Sequence, residues 1–319
     1  MNDRDWTEVC LSGGELDEPG RVELERQLAE SPDNLEPRIK RLGLLFSKEL
    51  PRAREVLWLA THHPDIDLGG FTVFPRDEDP EIYEQTRLVW KGLVERSPEN
   101  SIYREQAARF ATHDEPSYAE ALYRAGASLE PTQAKWHERL GTLLIRRSKN
   151  AADEATAMRL AAEAVQAFER AHALESWDFG RHGLQISIAR AAVAAGLLDV
   201  ATVAAEAVLR DASQFERTWQ YGNAVHWAHI VLGTVARLRG NLESACGELG
   251  LAGGTRGSPQ LNSSGPDLEL AQGLLDLGRP DAVLDYLTQC KRFWEMDRGA
   301  LDQWISHISS GERPKLELV

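Results

Sequence analysis

Small residues recur along this chain at intervals that suit a repeated pair of packed helices. Ala107 and Gly141 lie 34 residues apart, each within a segment that has helical periodicity. Side chains this small are needed where two helices approach so closely that their backbones nearly touch. A period of 34 residues is typical of a stack of antiparallel helix pairs.

Further copies of the pattern follow along the chain. The clearest runs from Leu232-Gly233 to Ala245, with Gly240 at the turn between its two helices. Weaker copies carry Ala189 with Gly196, Ala271 with Gly278, and Leu42-Gly43. No segment of four to eight residues alternates apolar and polar with β-branched enrichment, so we expect no significant sheet.

These residues resemble the tetratricopeptide repeat (TPR) family. Between Ala107 and Gly141, the positions that this family gives to small, bulky and turn-forming residues are taken by Ala119, Tyr123, Gly126 and Pro131. The resemblance covers residues 34–294. It implies an all-α, TPR-like α-solenoid of stacked antiparallel helix pairs, in which the first helices line a concave groove.

A second resemblance lies near the end of the chain. The stretch from Gly257 to Ser263 (GSPQLNS), followed by Gly265-Pro266, resembles the C-terminal part of a group of bacterial TPR proteins. This resemblance implies the same fold and carries over no catalytic residue.

The pattern predicts four regions. Residues 1–19 show no clear period and are expected to form a loose N-terminal lead. Residues 20–98 are expected to form degenerate helical repeats. Residues 99–311 are expected to form the TPR-like repeat region, interrupted by a long loop over 250–267, and residues 312–319 are expected to form a tail.

The charge balance limits the partners. Fifty acidic and 36 basic side chains give a net charge of −14, which repels phosphate backbones, so we expect no nucleic-acid partner. No apolar run approaches the roughly 20 residues that a membrane helix needs, so we expect no membrane partner. The three cysteines, Cys10, Cys246 and Cys290, suggest reduced thiols and a cytoplasmic protein. The sequence contains no CxxC pair, so no metal site is predicted.

The first helices of the predicted pairs place several charged side chains in the groove. Arg190 and Arg237, beside Trp227, would suit a partner with acidic or carboxylate groups, because arginine binds carboxylates bidentately and can stack on an indole. The alternative is that these arginines pair with acids on neighbouring helices. The full set of expected groove positions is Arg104, Glu138, Thr142, Arg190, Trp227, Thr234, Arg237 and Gln272.

A second candidate site combines residues 219–229 with the 257–267 loop. Tyr221, Asn223, His226 and Trp227 lie on one predicted helix, and adjacent repeats stack, so Gln260 and Asn262 of the loop should fall near its start. Aromatic walls with a few polar groups are typical of ligand pockets. The alternative is that the aromatic residues fill core and the asparagines satisfy loop backbone.

No nucleophile, phosphate-loop or metalloprotease motif occurs in the sequence, so no cofactor and no catalytic residue are predicted. The first hypothesis is a scaffold that recognises a peptide segment or a protein partner in the concave groove. The alternative is an enzyme or small-molecule-binding protein that uses the polar and aromatic pocket of residues 219–229 and 257–267.

Overall fold

The computed structural model of this chain describes residues 5–218 and 220–317, which contain helices, turns and loops but no strand. The all-α prediction is therefore confirmed. The chain divides into two compact units, Met1–Thr132 and Gln133–Val319. This division lies inside the 99–311 range that the sequence pattern treats as one region.

The first unit is a succession of helices in which each, except the first, packs on a sequence neighbour. Its helices are α1 (Trp6–Gly14), α2 (Glu18–Glu30), α3 (Leu35–Ser47), α4 (Ala53–His62), α5 (Pro80–Arg96), α6 (Ser101–Ala111) and α7 (Pro116–Leu129).

Helix α1 corrects the expectation of a loose lead over residues 1–19, at least for its described part. Asp5 caps the helix by accepting hydrogen bonds from the backbone N–H groups of Thr7 and Glu8. The helix packs on α3 so closely that a Cβ built on Gly43 would lie 1.7 Å from the carbonyl oxygen of Cys10. A short helix that packs through its backbone needs few apolar side chains, which is why the sequence pattern missed it. Residues 1–4 lie outside the described part of the chain.

The second unit contains four helix pairs and one short inserted helix. The pairs are α8 (Ala134–Lys149) with α9 (Glu154–Leu174), α10 (Asp178–Ala194) with α11 (Leu198–Asp211), and α12 (Tyr221–Leu238) with α13 (Leu242–Gly253). Helix α14 (Pro259–Ser264) precedes the last pair, α15 (Glu269–Asp276) with α16 (Pro280–Cys290), and α17 (Ala300–Ser309) follows.

The first helices of the last three pairs end in the same way. Each is followed by a glycine with positive φ, namely Gly196 at 72°, Gly240 at 79° and Gly278 at 75°. The residue after each glycine donates its N–H five residues back, for example Asn241 to the carbonyl of Ala236 at 2.9 Å. This left-handed cap turns the chain back antiparallel to the first helix. The repeated turn confirms a TPR-like arrangement of stacked helix pairs in this unit.

The predicted helix crossings are also confirmed. A Cβ built on Gly141 of α8 would lie 2.7 Å from the ring of Phe168 of α9, and one built on Gly233 of α12 would lie 2.5 Å from Leu270. Both glycines are therefore needed for close packing.

The prediction of a long loop over 250–267 is wrong in its extent. Helix α13 continues to Gly253, and Pro259–Ser264 form α14, which Ser258 caps through its hydroxyl oxygen. Proline at the first helical position and serine before it favour a helix start. Leu261 of α14 is buried in the core of the unit, which anchors the whole segment.

Candidate functional site

The first helices of the four pairs in the second unit surround one cavity of about 410 Å³. Helices α8, α10 and α12 contribute one side each, and the start of α15 closes one end. Five of the expected groove residues line this cavity, and they are Thr142, Arg190, Trp227, Thr234 and Arg237. The other lining residues that carry charge are Lys149, Asp267 and Glu269. We call this cavity the groove.

Arg190 of α10 lies over the ring of Trp227 of α12. Its guanidinium carbon is 3.5 Å from the centre of the indole ring, a close cation–π contact. A guanidinium carries five N–H donors, so this contact leaves donors for a ligand. Among the described residues no carboxylate forms an ion pair with it, although Asp267 and Glu269 are near enough to act on it electrostatically.

The walls of the groove also affect the charge of Arg190. Desolvation by the surrounding protein lowers the pKa of its guanidinium, while Asp267 and Glu269 oppose that shift. An arginine titrates so far above neutrality that the side chain nevertheless stays charged. The side chain keeps substantial contact with solvent, so the charge is accessible from the groove.

Arg237 lies at the other end of α12 and also points toward α15. Its Nε atom is buried and has no hydrogen-bond partner within the described residues. A Cβ built on Gly273 would lie 3.2 Å from that Nε, so a glycine at this position leaves the space that Arg237 occupies. A buried donor without a partner is costly, so the position of this side chain is not explained by a hydrogen bond of Nε within the described residues.

Asp267 connects the groove to the core of the unit. Its backbone N–H donates to Nε2 of His226 at 3.1 Å, and its backbone carbonyl accepts from the Tyr286 hydroxyl at 2.6 Å. Its carboxylate accepts from the backbone N–H groups of Glu269 and Leu270 and so caps α15. Desolvation, followed by repulsion from Glu269, raises the pKa of the Asp267 carboxyl.

His226 is buried rather than open to the groove. Nδ1 lies 3.2 Å from the carbonyl oxygen of Ala252 and must donate to it, so Nε2 is the bare nitrogen that accepts from Asp267. Desolvation, with the nearby Arg190 and His229, lowers the pKa of His226 to about 4 against the opposing effect of the hydrogen bond to Ala252, so the ring is neutral near pH 7. His226 therefore joins α12 to the end of α13 and the start of α15.

The remaining residues of the second predicted pocket do not converge. Tyr221 stacks under Arg256, with 4.6 Å between the guanidinium carbon and the ring centre, and Asn223 is half-buried on α12. Gln260 is exposed, and Oδ1 of Asn262 accepts the backbone N–H of Glu295 at 2.9 Å. Trp219, which begins the 219–229 segment, lies outside the described residues.

Three expected groove positions lie elsewhere. Arg104 belongs to the first unit and is buried, with its guanidinium donating to the carbonyl of Pro98, so its assignment to a groove is wrong. Glu138 is on α8 but outside the lining of the groove, and Gln272 lines a neighbouring depression.

Sequence reasoning missed three charged residues of the groove. Lys149 is the last residue of α8, and Asp267 and Glu269 flank the start of α15. The Asp267-Leu268-Glu269 run next to a helix start was the only available signal. Charged residues at helix ends are so common that the signal does not single them out.

No described helix is both long enough and apolar enough to cross a membrane. Within residues 5–218 and 220–317, no group of three or more His, Cys, Asp or Glu side chains is arranged to hold a metal ion.

Comparison with known proteins adds a likeness at the level of structure. No protein-family model matches the chain, and no curated protein matches it. The crystal structure of PilW, described as a widely conserved type IV pilus biogenesis factor, is similar over 74% of this chain and 91% of that one, with 15% sequence identity and a TM-score of 0.45. A likeness this distant transfers no activity or partner to this chain.

Proposed function

We propose that this chain is a helical-repeat scaffold that holds an acidic segment of a partner protein in the groove of its second unit. The observation that carries the proposal is a pair of arginines, Arg190 and Arg237, that line one cavity and form no ion pair with any described residue, in a protein with a net charge of −14.

The chemistry of the groove supports a carboxylate ligand. Each guanidinium can bind a carboxylate through two parallel hydrogen bonds, and Trp227 offers an apolar face beside Arg190. Asp267 and Glu269 at the α15 end repel negative charge placed beside them, so the acidic residues of a bound segment should lie beyond that end, beside Arg190 and Arg237. The free thiols Cys10 and Cys290 are buried and unbridged, which favours a reducing compartment such as the cytoplasm.

The alternative pocket of residues 219–229 and 257–267 has less support. His226 has both ring nitrogens bonded to backbone, and the amide oxygen of Asn262 is bonded to the backbone of Glu295, so neither ring nitrogen and not that oxygen is open to a substrate.

Fluorescence anisotropy with fluorescein-labelled hexaglutamate tests the proposal. We expect binding to the full chain that weakens as salt increases, and a loss of tenfold or more in each of Arg190→Ala and Arg237→Ala. Each substitution removes a charge-assisted contact of about 1.5–3 kcal/mol, and about 1.4 kcal/mol corresponds to a factor of ten.

Arg239→Ala is the matched control, because Arg239 follows α12 directly but already pairs with Asp199. Labelled hexaglutamine controls for the peptide backbone. Equal losses in Arg237→Ala and Arg239→Ala, or equal binding of both peptides, would refute the proposed site.

A further inference from the structure

Residues 312–317, which we call the strap, return from the end of α17 across α15. The guanidinium of Arg313 donates to the carbonyl of Asp276 at 3.3 Å, and the backbone N–H of Leu316 donates to Oε1 of Gln272 at 2.8 Å. The side chain of Leu316 is 6% exposed and joins the apolar core of the unit.

The direction of the strap follows from these contacts. Helix α15 runs from Glu269 to Asp276, and the strap meets Asp276 first and Gln272 later. The strap is therefore antiparallel to α15 and approaches the end of that helix that borders the groove.

The depression beneath the strap continues the groove. Trp227, Asp267 and Glu269 line both, and Lys315, Leu316 and Glu317 form part of the wall of the depression. Gln272, which the repeat pattern places on the concave face, has its amide oxygen occupied by the strap. The strap thus covers the last section of the same concave surface.

Few contacts hold the strap. Leu316 is its one buried residue, and Arg313, Lys315 and Glu317 are exposed. Lys315 pairs with Glu317, within the strap itself, rather than with a group on α15. Ordering the strap backbone is costly, so a segment held on α15 by one leucine and two hydrogen bonds is easily displaced from that helix.

We propose that the strap is an internal occupant of the partner site, and that the partner is an extended segment with a leucine that replaces Leu316 and acidic residues on its C-terminal side. The orientation follows from the strap, because it runs antiparallel to α15 toward the end of that helix that borders the groove, so residues after the leucine are directed toward that end. This inference rests on the proposed function for the role of the groove arginines, but the role of the strap is tested separately.

The probe is a fluorescein-labelled peptide, Arg-Pro-Lys-Leu-Glu-Glu-Glu, compared with the same peptide carrying serine in place of leucine. The proteins are the full chain, Leu316→Asp, which releases the strap, and Leu251→Asp. Leu251 is an exposed leucine of α13 and makes the last variant a control for the added charge.

We expect the leucine peptide to bind Leu316→Asp at least tenfold more tightly than the unchanged chain or Leu251→Asp. The serine peptide should lose most of that gain. Equal affinity of the leucine peptide for all three proteins, or equal affinity of both peptides for Leu316→Asp, would overturn the proposal. An error in the proposed role of the groove arginines would be detected separately, because the affinity for hexaglutamate would then be unchanged in Arg190→Ala.

Hydrogen exchange on the unchanged chain tests the proposal if Leu316→Asp does not fold. At millimolar leucine peptide, the amide of Leu316 should exchange at least tenfold faster, because it loses its bond to Gln272. Unchanged exchange at the highest peptide concentration would overturn the proposal.

Discussion

Because His226 is buried and neutral, acid should destabilise the second unit. Replacing His226 with a residue that does not titrate should remove that part of the acid sensitivity. The pKa of His226 is about 4 in the folded chain and is expected near the ordinary 6.5 when unfolded. Because the folded pKa is depressed, the unfolded chain binds the proton first. The stability contributed by the neutral ring is complete above about pH 6.5 and is lost as the pH falls toward 4.

The size of the effect follows from the two pKa values. Between about pH 7.5 and about pH 4.5, proton linkage with these values reduces the free energy of unfolding by about 2.5 kcal/mol. Protonation would also place a hydrogen on Nε2, where the backbone N–H of Asp267 now donates. The start of α15, at the edge of the groove, is therefore the first part expected to open.

Urea unfolding of the unchanged chain and of His226→Gln, at both pH values, measures the effect. The glutamine amide does not titrate, so other ionisable groups contribute equally to both proteins and cancel in the comparison. The unchanged chain should lose about 2.5 kcal/mol more than the variant on acidification. The same pH dependence in both proteins, within about 0.5 kcal/mol, would refute the assignment of a neutral structural histidine.

Four further substitutions test the packing and the division of roles. Gly233→Leu should lower the free energy of unfolding by about 1–3 kcal/mol, measured by urea unfolding, because the new side chain meets Leu270, and unchanged stability would show that the crossing is misplaced. Gly222→Ala should destabilise by a similar ~1–3 kcal/mol, since its Cβ would lie 1.8 Å from the carbonyl oxygen of Gly257. Gly247→Ala, with open space around it, should instead stabilise by about 0.5–1 kcal/mol. If Gly222→Ala and Gly247→Ala both raised or both lowered the free energy of unfolding, the geometry would be contradicted. Asn262→Ala should cost about 0.5–1.5 kcal/mol of stability yet leave hexaglutamate binding unchanged. Weakened binding would show that Asn262 contributes to the binding site.

The fold was predictable because its determinants are local. Helix crossings and positive-φ turns both require glycine, so the positions of glycine in the sequence indicate where two helices meet, as at Gly233 and Gly240. Helix α1 left a weaker trace, because its packing on α3 depends on backbone contact rather than on apolar periodicity.

The candidate site was predictable only where it depends on helix register. Arg190, Trp227 and Arg237 were placed correctly in the groove because they occupy the concave face of first helices. His226 lies one residue before Trp227 on the same helix, and a rotation of about 100° per residue turns it into the core.

The parts of the candidate site that the sequence did not predict depend on contacts between residues far apart in the chain. The bonds of His226 to Ala252 and Asp267, and of Gln272 to the strap, join positions that no local pattern connects. Only the packed structure shows that those groups already have partners, whereas Arg237 Nε has none within the described residues.

The most direct test of the acidic-segment groove is the nuclear magnetic resonance spectrum of the arginine side chains, recorded on ¹⁵N-labelled protein during titration with hexaglutamate. The Nε–H signals of Arg190 and Arg237 should both move, because each guanidinium lines the groove and gains a carboxylate ligand. The signal of Arg239, already paired with Asp199, should stay in place. Saturating peptide that shifts Arg239 but leaves Arg190 and Arg237 unmoved would contradict the account.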